Sequence, residues 1–194
     1  LRDLGKLKDA ELSYRKAIEI KPDFPNAHFN LGIILKDLGK LKDAELSYRR
    51  ATELQPNYAI AHLNLGNILK DLEKLKDAEI STRRAIELQP DYMHAHYNLG
   101  IALKNIGKQK EAVISYDKAI QLQPDYADAH YNLGHTLIEL NRYEEAITSF
   151  ERAIEAQPNY PKAYNNIGNI LKQLNRYEEA ITSYNKALDL NPNY

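Results

Sequence analysis

An all-α solenoid of stacked helix–turn–helix repeats is the fold class this 194-residue sequence predicts, and three features predict it. Asn-Leu-Gly stands at residues 30–32, 64–66, 98–100 and 132–134, and returns as Asn-Ile-Gly at 166–168. The same thirty-four-residue step carries Pro22, Pro56, Pro90, Pro124, Pro158 and Pro192, together with Ala10, Ala44, Ala78, Ala112, Ala146 and Ala180. Between these markers the apolar residues recur at helical spacing. A fixed period of this length means copies of one supersecondary unit laid side by side.

Residues 25–58 serve as the unit. His28, Leu31, Leu35 and Leu38 give a first helix with one apolar face. Gly39 follows, where a residue without Cβ ends a helix in the left-handed conformation at little cost. Gly107, Asn141 and Asn175 stand at the matching places and tolerate the same geometry, while Glu73 does not and marks the most strained turn. Leu41, Ala44, Tyr48, Ala51 and Leu54 make a second helix, which Pro56 cannot continue. Asn57, like the Asp or Asn at corresponding positions, is placed to cap the next helix through its side-chain oxygen. Gly32 lies inside a helix at a cost of about 1 kcal/mol against alanine. Its return in five helices predicts that the paired helices approach closely there. Neither helix buries its face alone, so the units stack into a solenoid with a concave and a convex side.

Five full units are expected, at 25–58, 59–92, 93–126, 127–160 and 161–194, as one continuous solenoid. Residues 1–24 form the rear part of a truncated sixth. Leu1–Arg15 repeats Leu35–Arg49 with a single change, Arg2 against Lys36, so the sequence reads as starting inside a repeat of something longer. Tyr58, Tyr92, Tyr126, Tyr160 and Tyr194 follow the Pro-Asp or Pro-Asn turns, and Tyr14, Tyr48, Tyr116 and Tyr184 lie on second-helix apolar faces, as mortar between units.

With Asn-Leu-Gly, Ala, Tyr or Phe, Ala and Pro at this period, the whole chain resembles the tetratricopeptide repeat family, which implies a right-handed superhelical α-solenoid. The family's early Trp is replaced by His28, His62, His96, His130 and Tyr164, for which core packing is the expected role. Glu45 and Glu79 stand where later units have Val113, Ile147 and Ile181, and Leu46 and Ile80 are expected to take over that packing. Within the family, Ala-x-x-Asn-Leu-Gly and Ala-Ile-Glu-Leu-Gln-Pro at 85–90 are most similar to the repeats of O-linked N-acetylglucosamine transferase and of bacterial proteins built like it. That resemblance implies an asparagine ladder that holds the backbone of an extended polypeptide.

The residues support a ladder independently. A stripe off the apolar face of each first helix varies between units except at Asn30, Asn64, Asn98, Asn132 and Asn166. A carboxamide offers a donor and an acceptor together, which is what a peptide bond needs from a side chain. The other reading is that these asparagines bond only neighbouring backbone, at about 1 kcal/mol each. With helices ~10 Å apart and an extended chain rising ~3.3 Å per residue, each rung would serve about three ligand residues. Tyr97 and Tyr131 are placed to anchor ligand side chains, as aromatics do at interfaces. Lys36, Lys70 and Lys104 form a column beside Asp37 and Asp71 that is either ligand-binding or plain solvated surface.

Composition narrows the remaining classes. Net charge is −1, and residues 1–92 carry 16 basic and 15 acidic side chains, so there is no electrostatic footprint for nucleic acid. No apolar run reaches ~18 residues, the length that a membrane span requires. Without cysteine there are no disulfides or thiolate sites, and the compartment stays open with the cytoplasm favoured. The histidines of successive units are too far apart to share a metal ion, and no catalytic constellation or cofactor site emerges. The sequence thus predicts a non-enzymatic protein-interaction scaffold for an extended peptide or a partner surface. The alternatives are the recognition arm of a larger glycosyltransferase-like enzyme, and a solenoid that self-associates end to end.

Overall fold

The structure, a computed structural model, describes residues 4–192. The expectations placed on Leu1, Arg2 and Tyr194 lie outside these residues. Among the described residues there are eleven helices and no strand. They are α1 (Leu4–Ile20), α2 (Pro25–Asp37), α3 (Leu41–Leu54), α4 (Ala59–Asp71), α5 (Leu75–Leu88), α6 (Met93–Asn105), α7 (Gln109–Leu122), α8 (Ala127–Glu139), α9 (Tyr143–Ala156), α10 (Pro161–Gln173) and α11 (Tyr177–Leu190). The chain divides into two compact units, Leu1–Ala102 and Leu103–Tyr194, with the boundary inside α6.

In the first unit each of α1 to α4 packs against the helix that follows it. The core joins Leu31 and Leu35 of α2, Ala44, Tyr48 and Ala51 of α3, and Leu65, Ile68 and Leu69 of α4. A second cluster brings Leu63, Ala85 and Ala95 together under Tyr92 and Ile86. Tyr58 has the mortar role expected of it, its ring centroid lying 5.0 Å from that of Phe29. In the second unit α7 to α11 pack in the same successive way. Tyr116, Leu137, Phe150 and Ile170 are buried there, as are Ala112, Ala146 and Ala180.

The helical glycines are where two helices come closest. A Cβ on Gly32 would lie 2.7 Å from the Tyr48 ring, and one on Gly134 would lie 2.8 Å from the Phe150 ring. The ring of the second helix therefore rests on the bare backbone of the first, and this contact offsets the intrinsic helix cost of glycine.

The turns inside the hairpins take the left-handed conformation expected, with φ of +75° at Gly39, +81° at Gly107, +58° at Asn141 and +60° at Asn175. Glu73 is forced to +60° as well. The cause is a shared hydrogen-bond pattern that closes each first helix. Glu73 N–H donates to the Lys70 carbonyl, and Lys74 N–H reaches back to the Leu69 carbonyl at 2.8 Å. Gly39 and Lys40 make the same two bonds to Lys36 and Leu35.

The expected side-chain caps do not form. The N-cap residues are Phe24, Tyr58, Tyr126 and Tyr160, none with a side-chain capping bond, and Asn57 lies one residue too early. The backbone turn decides this, because Tyr58 N–H donates to the Gln55 carbonyl at 3.1 Å and thereby makes Tyr58 the last non-helical residue. The loop is tied from the helix side instead. His28, His62, His96 and His130 donate from Nε2 to the carbonyls of Pro22, Pro56, Pro90 and Pro124 at 2.9, 3.1, 2.7 and 2.8 Å. The histidine in the family's Trp position is thus a strut as well as packing.

Leu46 and Ile80 do not take over the packing at the acidic positions. They are 66 % and 67 % exposed, whereas Glu45 is 6 % exposed. Glu45 stays inside because two cations reach it: Arg49 Nη2 at 3.0 Å from its own helix, and Lys74 Nζ at 2.7 Å from the next hairpin. Glu11 repeats the arrangement with Arg15 and Lys40. The second unit fills the same place with Val113 and Ile147, both buried.

Candidate functional site

The first helices of the hairpins expose what their apolar faces leave over. In the first unit, Asn30, Asn64 and Asn98 are each half-buried, on α2, α4 and α6. Phe29 and Leu63, one residue before the first two, are buried core residues and not part of an open surface. Lys36 is exposed. Lys70 is half-buried, with Nζ 3.6 Å from the Asp71 carboxylate. Tyr97 is half-buried. Asn67, one turn after Asn64, has a buried Oδ1 that accepts no hydrogen bond.

In the second unit the contacts are denser. Asn132 and Asn166 are half-buried on α8 and α10. Asn132 Nδ2 donates to the Asp128 carbonyl of its own helix at 2.9 Å. Asn166 Nδ2 donates across to the previous hairpin, to Tyr131 Oη at 3.2 Å and to His135 Nε2 at 3.0 Å. Tyr131 stacks on Tyr160 with centroids 4.8 Å apart and meets the His135 ring edge-on at 4.7 Å. Tyr160 Oη donates to Asp128 Oδ1 at 3.2 Å. Lys104 pairs with Glu139 at 3.5 Å, and Gln109 Nε2 donates to the same carboxylate. Burial, helped by the positive charge of Lys104 and opposed by Glu139, holds the His135 pKa below its usual 6.5.

Some of the predicted residues therefore meet and others do not. Tyr131 and Asn166 are joined directly, Lys70 faces its own acidic neighbour, and Lys104 belongs to an ion pair. His135 was not among the predicted site residues, although it contacts both Tyr131 and Asn166. The available signal was its place four residues after Tyr131, on the same helix face. Among the described residues no group of three or more His, Asp or Glu side chains could hold a metal ion. No helix among them is long and apolar enough to cross a membrane.

The TPR repeat profile matches residues 1–39, 32–72, 105–138 and 134–175. Further tetratricopeptide repeat profiles match 59–92, 82–114 and 161–194. The chain belongs to the tetratricopeptide repeat family. Among solved tetratricopeptide repeat folds it is similar to MamA, with a TM-score of 0.81 and 28% identity over 84% of this chain and 95% of that one. It is also similar to YrrB, described as a TPR protein with an unusual peptide-binding site, with a TM-score of 0.79 and 25% identity over 93% of each chain. Pseudomonas aeruginosa PilF shares the fold alone, with a TM-score of 0.81 at 20% identity over 98% of this chain and 86% of its own. No curated protein matches the sequence.

Proposed function

We propose that this tetratricopeptide repeat protein is an interaction scaffold that holds an extended polypeptide, or a partner's surface, through its recurring asparagines. Asn30, Asn64 and Asn98 are the rungs of the first unit, and Asn132 and Asn166 those of the second. Each rung bonds the ligand backbone, while Tyr97, Tyr131, Lys36, Lys70 and Lys104 select among side chains. The observation that carries this reading is that all five asparagines are half-buried. They are held in place by the helices that bear them, yet not sealed inside the core. The peptide-binding site ascribed to YrrB supports it.

The test is retention of a degenerate nonapeptide pool on the immobilised chain, compared with the Asn64→Ala, Asn98→Ala, Asn132→Ala triple variant. Each lost bond contributes about 0.5–1.5 kcal/mol net, so retention should fall roughly ten- to two-thousand-fold across unrelated sequences. Helical content by circular dichroism should stay constant. Equal retention by the two proteins would reject the ladder.

A further inference from the structure

One rung differs from the others in what holds it. Asn166 Nδ2 is 3.0 Å from His135 Nε2 and 3.2 Å from Tyr131 Oη. An amide nitrogen has two hydrogens to donate and no lone pair to accept with. Both contacts are therefore donations, Nε2 is the bare nitrogen of a neutral ring, and the ring proton sits on Nδ1. Both amide hydrogens are thus engaged, and Oδ1 is the atom of Asn166 left for a ligand.

The reversed arrangement bonds to a protonated ring. If Nε2 carries a proton, it and the amide nitrogen are two donors facing each other, and the bond between them is lost. Turning the terminal amide over brings Oδ1 to accept from Nε2–H, with Nδ2 facing away from the ring. That rotation is about an sp³–sp² torsion, which is broad and roughly two-fold.

We infer that His135 sets the polarity of the Asn166 rung. With its ring neutral the rung accepts a peptide N–H, and with its ring protonated the rung donates to a peptide carbonyl. This rests on the peptide-binding reading above and names the specificity-determining residue for one rung of it. Several groups bear on the His135 ring. They are Lys104 from α6, Tyr131 and Glu139 from α8, the Phe150 ring from α9 at 5.4 Å, and Asn166 from α10. Burial foremost, then Lys104, favours the neutral ring, and the Glu139 charge opposes them. The switch therefore lies below the usual histidine value of 6.5, and at neutral pH the rung selects ligands by their backbone N–H groups.

Two experiments on the whole chain decide it. In ¹⁵N-labelled protein, long-range ¹H–¹⁵N spectra at about pH 7.5 should show His135 protonated on Nδ1. On acidification the Asn166 side-chain amide signals should move with the midpoint of the His135 ring, and in His135→Gln they should not move. Asn166→Asp places a carboxylate beside Nε2 and should raise the His135 midpoint by roughly 1–3 pH units. A neutral ring protonated on Nε2, or amide signals that ignore the His135 midpoint, would overturn the inference. The second arm compares a degenerate nonapeptide pool with its backbone N-methylated counterpart on the wild type and on Asn166→Ala. The preference for the unmethylated pool should be about 2- to 10-fold greater in the wild type at about pH 7.5 and should shrink below the His135 midpoint that the spectra give. A preference independent of Asn166 and of pH sinks the polarity switch alone. Retention of neither pool sinks the peptide-binding reading, and the spectra still decide the His135–Asn166 geometry.

Discussion

Replacing the buried Glu45 with glutamine should harm the first unit more than replacing it with valine. Glu45 is 6 % exposed and receives four hydrogen bonds from two cations: Arg49 Nε and Nη2 at 3.1 and 3.0 Å, and Lys74 Nζ at 2.9 and 2.7 Å. Hydrogen bonds to charged groups contribute about 1.5–3 kcal/mol each when shielded. Here both cations keep 41% and 49% of their side-chain surface in water, which discounts the sum strongly. Glutamine keeps the shape and loses the charge, leaving a buried amide whose nitrogen, even in the better of its two orientations, faces the Lys74 ammonium, at a cost of roughly 2 kcal/mol. Valine copies Val113, 9 % exposed at the corresponding place in α7. It returns both cations to solvent and gains apolar burial, so Glu45→Val should fall within about 1 kcal/mol of the wild type or exceed it. The assay is urea unfolding with hydrogen exchange read at α3 and α5, because the two units need not unfold together. Glu45→Val less stable than Glu45→Gln would refute the reasoning. The wild-type pH profile supplies a check. Burial raises the Glu45 pKa, but the bonds from Lys74 and Arg49 outweigh it and hold it below 4.5. Glu11 is likewise lowered, by its bond from Lys40 above all. This stabilisation is present above about 4.5 and is lost as pH falls through the lower folded values, so exchange in α1, α3 and α5 should speed up there first.

Glu73→Gly should stabilise the chain by about 1 kcal/mol, because Glu73 holds a φ of +60° that disfavours any side chain; an unchanged thermal midpoint would contradict this. Gly134→Ala should cost about 1–3 kcal/mol, since its Cβ would meet the Phe150 ring at 2.8 Å and that ring, fully buried, has nowhere to go. His62→Phe should lose about 1 kcal/mol with the bond to the Pro56 carbonyl. Burial, opposed by that bond, holds the His62 pKa below 6.5, so the wild type is stabilised above that value and weakens as pH falls through the lower folded one. The His62→Phe variant should lack that slope, as measured by chemical unfolding at successive pH values.

Much of this protein was legible at single positions. Gly39, Gly107, Asn141 and Asn175 each announce a left-handed turn by residue type, and even the misfit Glu73 could be named because the period located its turn. Gly32 announced a close contact for the same reason, since its cost in a helix called for a neighbour pressed against it. These features depend on local backbone preference repeated in register, and a one-dimensional pattern carries both. The caps depart from the sequence pattern because a backbone turn from Gln55 to Tyr58 competes with the Asn57 side chain, and the two differ by one residue.

The sequence by itself determined the hairpin, its period, its turns and its family, because each follows from rules that act within about one helical turn and from their return at a fixed step. Only the tertiary structure decided that Glu45 stays inside while Leu46 stays out, that four histidines brace the prolines, and that Asn166 is held by His135. Each of the first and last of these joins residues about thirty positions apart, Lys74 to Glu45 and Asn166 to His135. A charge or a carboxamide can sit in either environment, and which one it occupies depends on the partner that packing brings within hydrogen-bonding distance.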